Sequence, residues 1–427
     1  LGIYGNSRGT SPGLDAFAAT AAVFDNAFAH TPKTAPSHMS LFTGLPPRVH
    51  RVGNNRTQWA QRLSPEIPTL AEILERAGFI NIAWTSGGNV TGGLGFDRGF
   101  TRYLEHTRQL EASTLPMARW ISMRKPGERW FAFLHTYSVH APYWPGEPFR
   151  TQFVDPEYSG GIADDIKELR KRFPGEDQPG VVFLRTANKK DPRDVDHLRN
   201  LYLGEVARTD AGLVTFLAGL EESGVLANTI VVLTADHGEQ FGEHGGLSHD
   251  QLWQEELHVP LLVRLPDGTG AGVRLSGRVG HTDFLPSILE LLGLEWPQGQ
   301  VTTGRSWASW LPSPPLPGEI TDRPQTGEHR SRTDGPLDMF SYRHGPWSLV
   351  RNAKGMVRLF NVEEDSAEAV DVASLHEDVV EEIMAAVAAE ARTHDVLGDR
   401  FASGGRMDVD AELRAELEAL GYLGGDG

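Results

Sequence analysis

Asp236, His237 and Gly238 stand together directly after Thr229-Ile230-Val231-Val232-Leu233, a short apolar and β-branched run. A carboxylate beside an imidazole suits a divalent cation, and a neighbouring glycine lets the backbone turn closely around it. The run reads as a strand buried on both faces, so the three residues fall at the carboxyl edge of a sheet, where open α/β folds bind ligands. Alone, Asp-His-Gly reads equally well as a surface loop. Its weight comes from a stretch far upstream, Thr34-Ala35-Pro36-Ser37-His38, closed by Thr43-Gly44. Pro36 suits the first turn of a helix and Gly44 its end, which puts the Thr34 hydroxyl at or just before a helix N-terminus. Backbone N–H groups and the dipole there favour an anion. Helix capping is the plain alternative for Thr34.

Two further groups carry chemistry. The apolar strand Trp130–Leu134 leads into His135-Thr136-Tyr137-Ser138-Val139-His140-Ala141-Pro142-Tyr143. Beyond Gly238 come Glu243, His244, His249 and Asp250, readable as a metal cluster or as a charged loop cap. His140 with His249 is a candidate pair for a second metal. His135 reads as a core or supporting residue.

The elements that must position these residues follow from periodicity. Helices are expected over 12–22, 67–78 (Pro68 in its first turn), 201–224 and 282–292, and strands over 23–30, 79–85, 130–134, 229–233 and 259–265. Between them, 147–196 is polar and aperiodic and reads as a surface excursion. The alternation predicts an α/β domain, mainly parallel sheet flanked by helices, over 1–310. A Pro-, Gly- and charge-rich linker is expected over 311–335. A small α+β subdomain is expected over 336–427, with a hairpin-containing sheet near 340–360 and helices over 377–391 and ending near Leu420.

Composition narrows the function. With 427 residues the chain exceeds one ordinary core. A formal charge of −17 argues against a general nucleic-acid binder, although a metal can still draw in a small anionic substrate. The absence of cysteine excludes disulfides, thiolate metal sites and a cysteine nucleophile. No apolar run approaches the roughly 18–20 residues that span a bilayer. Leu1-Gly2-Ile3-Tyr4-Gly5 reads as the end of a strand-to-loop segment whose start is expected upstream.

Taken jointly, these motifs resemble the sulfatase family of the alkaline phosphatase superfamily. Its signature is a nucleophile, any residue, Pro, Ser and Arg, with Thr-Gly a few residues on. Tyr4-Gly5 and Pro12-Gly13-Leu14-Asp15 resemble the family's opening. His50 to Asn55, the run from Phe133 to Tyr143, Tyr202 to Val206 and Glu255-Glu256 before Val259-Pro260 also fit. The resemblance implies an alkaline phosphatase-like fold and a metal-dependent hydrolase of sulfate or phosphate esters. It places Thr34 at the nucleophile position and makes Thr34, Asp236 and His237 ligands of a divalent cation, Ca, Mn or Zn. His140 matches the histidine that contacts the transferred group. His249 falls near where sulfatases place a lysine on the same oxygens, and Asn55 matches a polar active-site residue. The aspartates that complete the family's metal site are expected before Leu1.

Two departures matter. The family's cysteine or serine, converted to formylglycine, is Thr34 here, and the signature's arginine is His38. Formylglycine hydrate releases sulfate by breaking its own C–O bond, which threonine cannot do. Thr34 would instead form a covalent ester that water attacks at sulfur or phosphorus. The family favours sulfate and the nucleophile favours phosphate. The alternatives are a phosphoryl or substituted-phosphoryl transferase of the same superfamily, and a binding homologue without turnover.

Overall fold

A computed structural model of the chain describes residues 1–53, 59–105, 110–163, 165–174, 179–313, 323–330 and 338–419. Asn55 and much of 311–335 lie outside the described residues.

Helix α1 (Pro12–Ala18) leads to strand β1 (Ala22–Phe28) and helix α2 (Thr34–Thr43), which Gly44 ends at φ 68°. Only the left-handed region closes a helix this way, and glycine enters it without strain. Helix α3 (Leu70–Arg76) starts later than its Pro68 suggests. The reason is a capping box: the Glu72 N–H donates to the Thr69 hydroxyl, and the Thr69 N–H to the Glu72 carboxylate. Strands β2 (Ile80–Thr85) and β3 (Arg102–Glu105), helix α4 (Leu110–Ser122) and strand β4 (Trp130–Leu134) follow. β2 lies between β3 and β4 and is parallel to both, with Ile82 opposite Arg102 and Ala132.

The second sheet uses β1 with β5 (Val231–Thr234), β6 (His258–Arg264) and β7 (Arg274–Gly280). Its order is β7-β1-β6-β5. β1 and β7 are parallel, whereas β6 runs antiparallel to β1 and to β5. Helix α5 (Pro192–Glu222) precedes β5, and α6 (Phe284–Leu291) follows β7. The α/β expectation therefore holds, with β6 as the antiparallel member.

β5 departs from its expected burial. Among the described residues it pairs with β6 alone, and all four of its residues are only half-buried. Its sequence reads as a central strand because apolar residues serve both faces, not because both edges are paired. The two sheets meet through side chains instead. Phe131, Phe133 and Val232 join one apolar cluster, and Trp130, Ala132, Leu134 and Val231 join another. This sorting by alternate residues sets β4 and β5 side by side, with no ladder between them among the described residues.

The stretch 147–196 is not a surface excursion. It forms helices Phe149–Phe153, Ile166–Arg172 and Pro179–Thr186 and the start of α5. Ile162, Leu169 and Phe183 are buried with Tyr143, Leu201 and Phe241. A loop residue, Ile162, and two short helices supply these apolar residues, so no single window shows a period.

Strands β8 (Gln325–His329), β9 (Met339–His344), β10 (Trp347–Arg351) and β11 (Val357–Asn361) form an antiparallel sheet in that order. β8 lies within the stretch read as linker; its polar Gln-Thr-Gly-Glu-His sequence carries no strand signal. Val350 and Phe360 pack towards Phe24 and Trp307, while Leu349 and Leu359 face Ile383 of helix α7 (Glu377–Gly398). Residues Arg406–Asp408 return to pair with Trp59–Gln61. Among the described residues, no helix is long and apolar enough to cross a membrane.

Phe42 anchors α2 to this core, with ring centroids 5.0 Å from Phe133, 5.9 Å from Phe96 and 6.2 Å from Phe100. Phe42→Ala should destabilise the protein by about 3–5 kcal/mol, read from the denaturant midpoint. An unchanged midpoint would show that α2 does not depend on this packing.

Candidate active site

β1, β5 and β7 run in one direction, and antiparallel β6 enters from the edge where they end. Thr34 follows β1, Asp236 and His237 follow β5, and His281 follows β7. His249 precedes β6, and β4 leads to His135 and His140. Residues far apart in sequence are thus delivered to one carboxyl edge by topology alone.

All ten residues of α2 are buried. A helix buried all round must satisfy its polar side chains internally. Ser40 donates to the Pro36 carbonyl at 3.1 Å and Thr43 to the Met39 carbonyl at 2.7 Å. Ser37 Oγ donates to the Asp236 carbonyl at 2.5 Å and lies 2.9 Å from His281 Nδ1. Thr34 is the first helical residue and Lys33 the N-cap, so plain capping does not explain the threonine.

Thr34 Oγ1 lies 3.5 Å from His237 Nε2, and that nitrogen lies 3.4 Å from Asp236 Oδ2. His237 Nδ1 donates to the Gly238 carbonyl at 2.9 Å, which turns Nε2 towards the pocket. Gly238 makes the close approach its type suggested: its N–H donates to the Glu256 carbonyl at 2.8 Å, and a Cβ there would overlap the Glu255 carbonyl oxygen. His38 Nδ1 donates to the Thr34 carbonyl at 2.9 Å and sits 3.6 Å from Asp236 Oδ2. On the opposite wall, His249 Nε2 is 3.3 Å from His140 Nε2, and the His249 ring is 4.2 Å from that of His237. Of the residues expected at the site, Thr34, His38, Asp236, His237, His140 and His249 come together here; Asn55 lies outside the described residues.

The electrostatics centre on Asp236. Burial alone would push its carboxyl up, but the facing imidazoles of His237, His38, His135 and His281 hold it well below the usual carboxylate range. Burial pushes His38 down, and takes His135 and His281 down to about 3. A partly enclosed carboxylate among imidazoles is an environment that a cation relieves. Two metal–ligand bonds of about 2.0–2.2 Å at octahedral to tetrahedral angles separate their donors by roughly 2.9–3.6 Å. The Asp236–His237 and His237–Thr34 spacings fit that range. Among the described residues no group of three or more His, Asp or Glu side chains is placed to hold a metal ion by itself, and the Thr34 hydroxyl is the further oxygen beside His237 Nε2.

The readings of 243–250 need correction. Only His249 enters the pocket. His244 stacks on Trp253 at 3.9 Å and bonds Glu255 at 2.7 Å, while Glu243 pairs with Arg199 at 3.3 Å. Asp250 pairs with Lys33. The loop turns after His244, and sequence spacing does not show on which side of that turn a residue falls.

Three residues escaped sequence reasoning. Lys33, 3% exposed, donates to the His249 carbonyl at 2.8 Å and to Asp250. His281 meets Ser37 from β7. Glu239 lies half-buried two residues past His237, and desolvation pushes its carboxyl up to about 8. Lys33 and Glu239 adjoin the recognised motifs, which is the one signal that singles them out.

A hydroxyl at a buried helix N-terminus, set against an acid–imidazole pair at the carboxyl edge of an α/β sheet, is an alkaline phosphatase-like arrangement. The solved phosphonate monoester hydrolase of Agrobacterium radiobacter shares the fold at TM-score 0.71 and 19% identity, covering 92% of this chain and 93% of that one. A second solved protein, in complex with its substrate D-glucosamine-2-N,6-O-disulfate, superposes at TM-score 0.73 and 17% identity over 92% of this chain and 95% of its own. The sulfatase family model matches residues 1–294, and the chain belongs to that family. Arylsulfatase K of Danio rerio is 26% identical over 283 residues, 63% of this chain and 51% of that protein, so the chain spans about half the length of this curated relative.

Lys33 is the strut between the segment leading to Thr34 and the His249 loop. Lys33→Met keeps the stem and removes the charge. It should lower stability by about 1.5–3 kcal/mol, the usual worth of a hydrogen bond to a charged group, and speed proteolysis of the 243–250 loop. Unaltered stability and cleavage would remove that role.

Proposed function

We propose that this chain is a hydrolase of sulfate or phosphate esters in which Thr34 is the nucleophile and Asp236, His237 and the Thr34 hydroxyl hold a divalent cation. The observation that carries the reading is the placement of Thr34 Oγ1 at the start of α2, 3.5 Å from His237 Nε2. When bound, the cation lowers the hydroxyl's pKa and offsets charge on the transferred group. The Thr34 oxygen attacks sulfur or phosphorus in line, and the bond from that atom to the leaving alcohol's oxygen breaks. The hydroxyl's proton passes to solvent, and the departing alkoxide takes one back. Water then attacks the same sulfur or phosphorus, which returns the Thr34 hydroxyl and free sulfate or phosphate. His38, bonded to the Thr34 carbonyl, fixes the orientation of the nucleophile's peptide. His140 and His249 face the transferred group's oxygens.

The name of the zebrafish relative supports sulfate esters. The phosphonate monoester hydrolase neighbour and the threonine support phosphorus, since a threonine ester cannot break its own C–O bond as formylglycine hydrate does and needs attack at sulfur or phosphorus. Thr34→Ala should reduce cleavage of aryl sulfates and aryl phosphates by a factor on the order of 10³ or more. Mass spectrometry of enzyme quenched during turnover should find a sulfo or phospho adduct on Thr34. Chelation should abolish cleavage, and a divalent cation should restore it. Full activity in Thr34→Ala would sink the assignment.

A further inference from the structure

The C-terminal sheet and the loop before β6 enclose a cavity of about 90 Å³. That is well above the roughly 10–15 Å³ that admits one water, so the cavity takes a group of several atoms. Its polar walls are Gln251, Asn352, Arg358 and His244. The partners of the two amides fix which way each points. Gln251 Oε1 accepts from Trp253 Nε1, which can only donate, at 2.7 Å. Asn352 Oδ1 accepts the backbone N–H groups of Lys354 and Met356 at 3.0 Å each. Each side chain therefore has its amino group left to offer. Among the described residues, nothing bonds either amino group or the Arg358 guanidinium.

The charges around the cavity leave Arg358 unmatched. His244 Nδ1 lies 2.7 Å from Glu255 Oε1, and its Nε2 lies 3.2 Å from the Glu368 carbonyl. Both facing atoms accept, so both nitrogens carry protons and the ring is an imidazolium, which Glu255 offsets. Glu368 in turn pairs with Arg343 at 2.5 Å. Arg358 meets no carboxylate among the described residues. It is half-buried, and its guanidinium lies 5.8 Å from the centroid of the Trp253 ring, which steadies it. A guanidinium, two amino groups and a charged ring without a spare N–H make a lining that donates and does not accept. A hydroxyl bound there would leave its own proton unmet, whereas an oxyanion accepts from every side. Met339 and Val350 add an apolar wall, and Met356, 46% exposed, stands at the mouth.

We infer that this cavity is a binding site for an oxyanion, a sulfate, sulfonate, carboxylate or phosphate group, held by Gln251, Asn352 and Arg358 outside the pocket of Thr34. The chain as a whole carries a formal charge of −17, so the attraction is local to this lining. Gln251 stands two residues past His249, and one short loop thus serves both pockets. The oxyanion arrives as a free inorganic ion or as the charged end of an organic molecule. Neither source rests on the proposed ester hydrolase.

Two probes test it. Crystals of the full chain are soaked in sodium selenate, which stands for the free ion, or in sodium bromomethanesulfonate, whose oxyanion is carried on carbon and has no ester bond to cleave. Anomalous scattering at the selenium and bromine edges locates each probe. A peak bounded by Gln251, Asn352 and Arg358 is expected from at least one of them. Selenate alone identifies the free ion as the occupant, bromomethanesulfonate alone an organic anion, and both together a site that reads the oxyanion whatever carries it. Affinity there, read from peak height against soak concentration, should fall about tenfold or more in Arg358→Met. Asn352→Asp keeps the oxygen that closes the turn and adds a repelling charge, and it should weaken binding at least as much. No peak from either probe overturns the proposal. So does a peak that persists unchanged in both variants, which marks an adventitious ion only. The wild-type crystals need no variant, so a misfolded variant does not decide the outcome. The two readings also fail separately. A filled cavity with no ester cleaved on any substrate leaves the site and removes the hydrolase. Thr34-dependent cleavage with no probe in the cavity leaves the hydrolase and removes the site.

Discussion

One hydrogen bond joins the two halves of the site: Ser37 Oγ, inside α2, donates to the backbone carbonyl of Asp236 at 2.5 Å. The helix that carries it is buried on every side, so the bond is made in a setting where an unmet polar group is costly. Thr34 is one helical turn before Ser37, and Asp236 supplies the bonded carbonyl. Fixing that contact therefore fixes the hydroxyl and the acid–imidazole pair relative to each other. His281, reaching Ser37 from the end of β7, makes a third strand end part of the same junction.

The rest of the fold serves that convergence. β1, β5 and β7 must end together, and the second sheet secures this by placing β1 between β7 and β6 and hanging β5 on β6. Antiparallel β6 enters from the edge where the others leave. It therefore contributes residues that precede a strand, and His249 reaches a pocket otherwise built from residues that follow strands. The helices of 147–196 pack behind Tyr143, just past His140, and support that wall from outside.

Much of this was legible in the sequence, for identifiable reasons. The strand at Trp130–Leu134 was readable because its apolar run is short and bounded. α2 was readable because Pro36 and Gly44 mark its two ends. The candidate site residues were named because their spacing matches a family pattern, and the fold sets Thr34, Asp236 and His237 beside one another. What sequence could not give is pairing. Val231 to Thr234 looks central by composition, and among the described residues one neighbour alone pairs with it. Gln325–His329 has no strand-forming residues except Thr326, and its partner β9 makes it a strand. Lys33 is the plainest omission. A lysine before a motif normally points to solvent, and only the folded loop shows why this one is buried.

The proposed change of nucleophile gives the neighbouring histidines a chemical use. A formylglycine hydrate expels its product by itself, whereas a threonine ester waits for water, and its tetrahedral centre must stay activated for a second attack. That second step needs positive charge held against the same oxygens after the first alcohol has left. Lysine charge is fixed but has no open coordination site for water. The Nδ1 atoms of His237, His140 and His249 are committed to the carbonyls of Gly238, Ala141 and Pro32, which turns each Nε2 away from the backbone. Of the three, His237 is the ring beside Thr34, with Nε2 3.5 Å from Oγ1, and the proposed hydrolysis of a threonine ester depends on that contact.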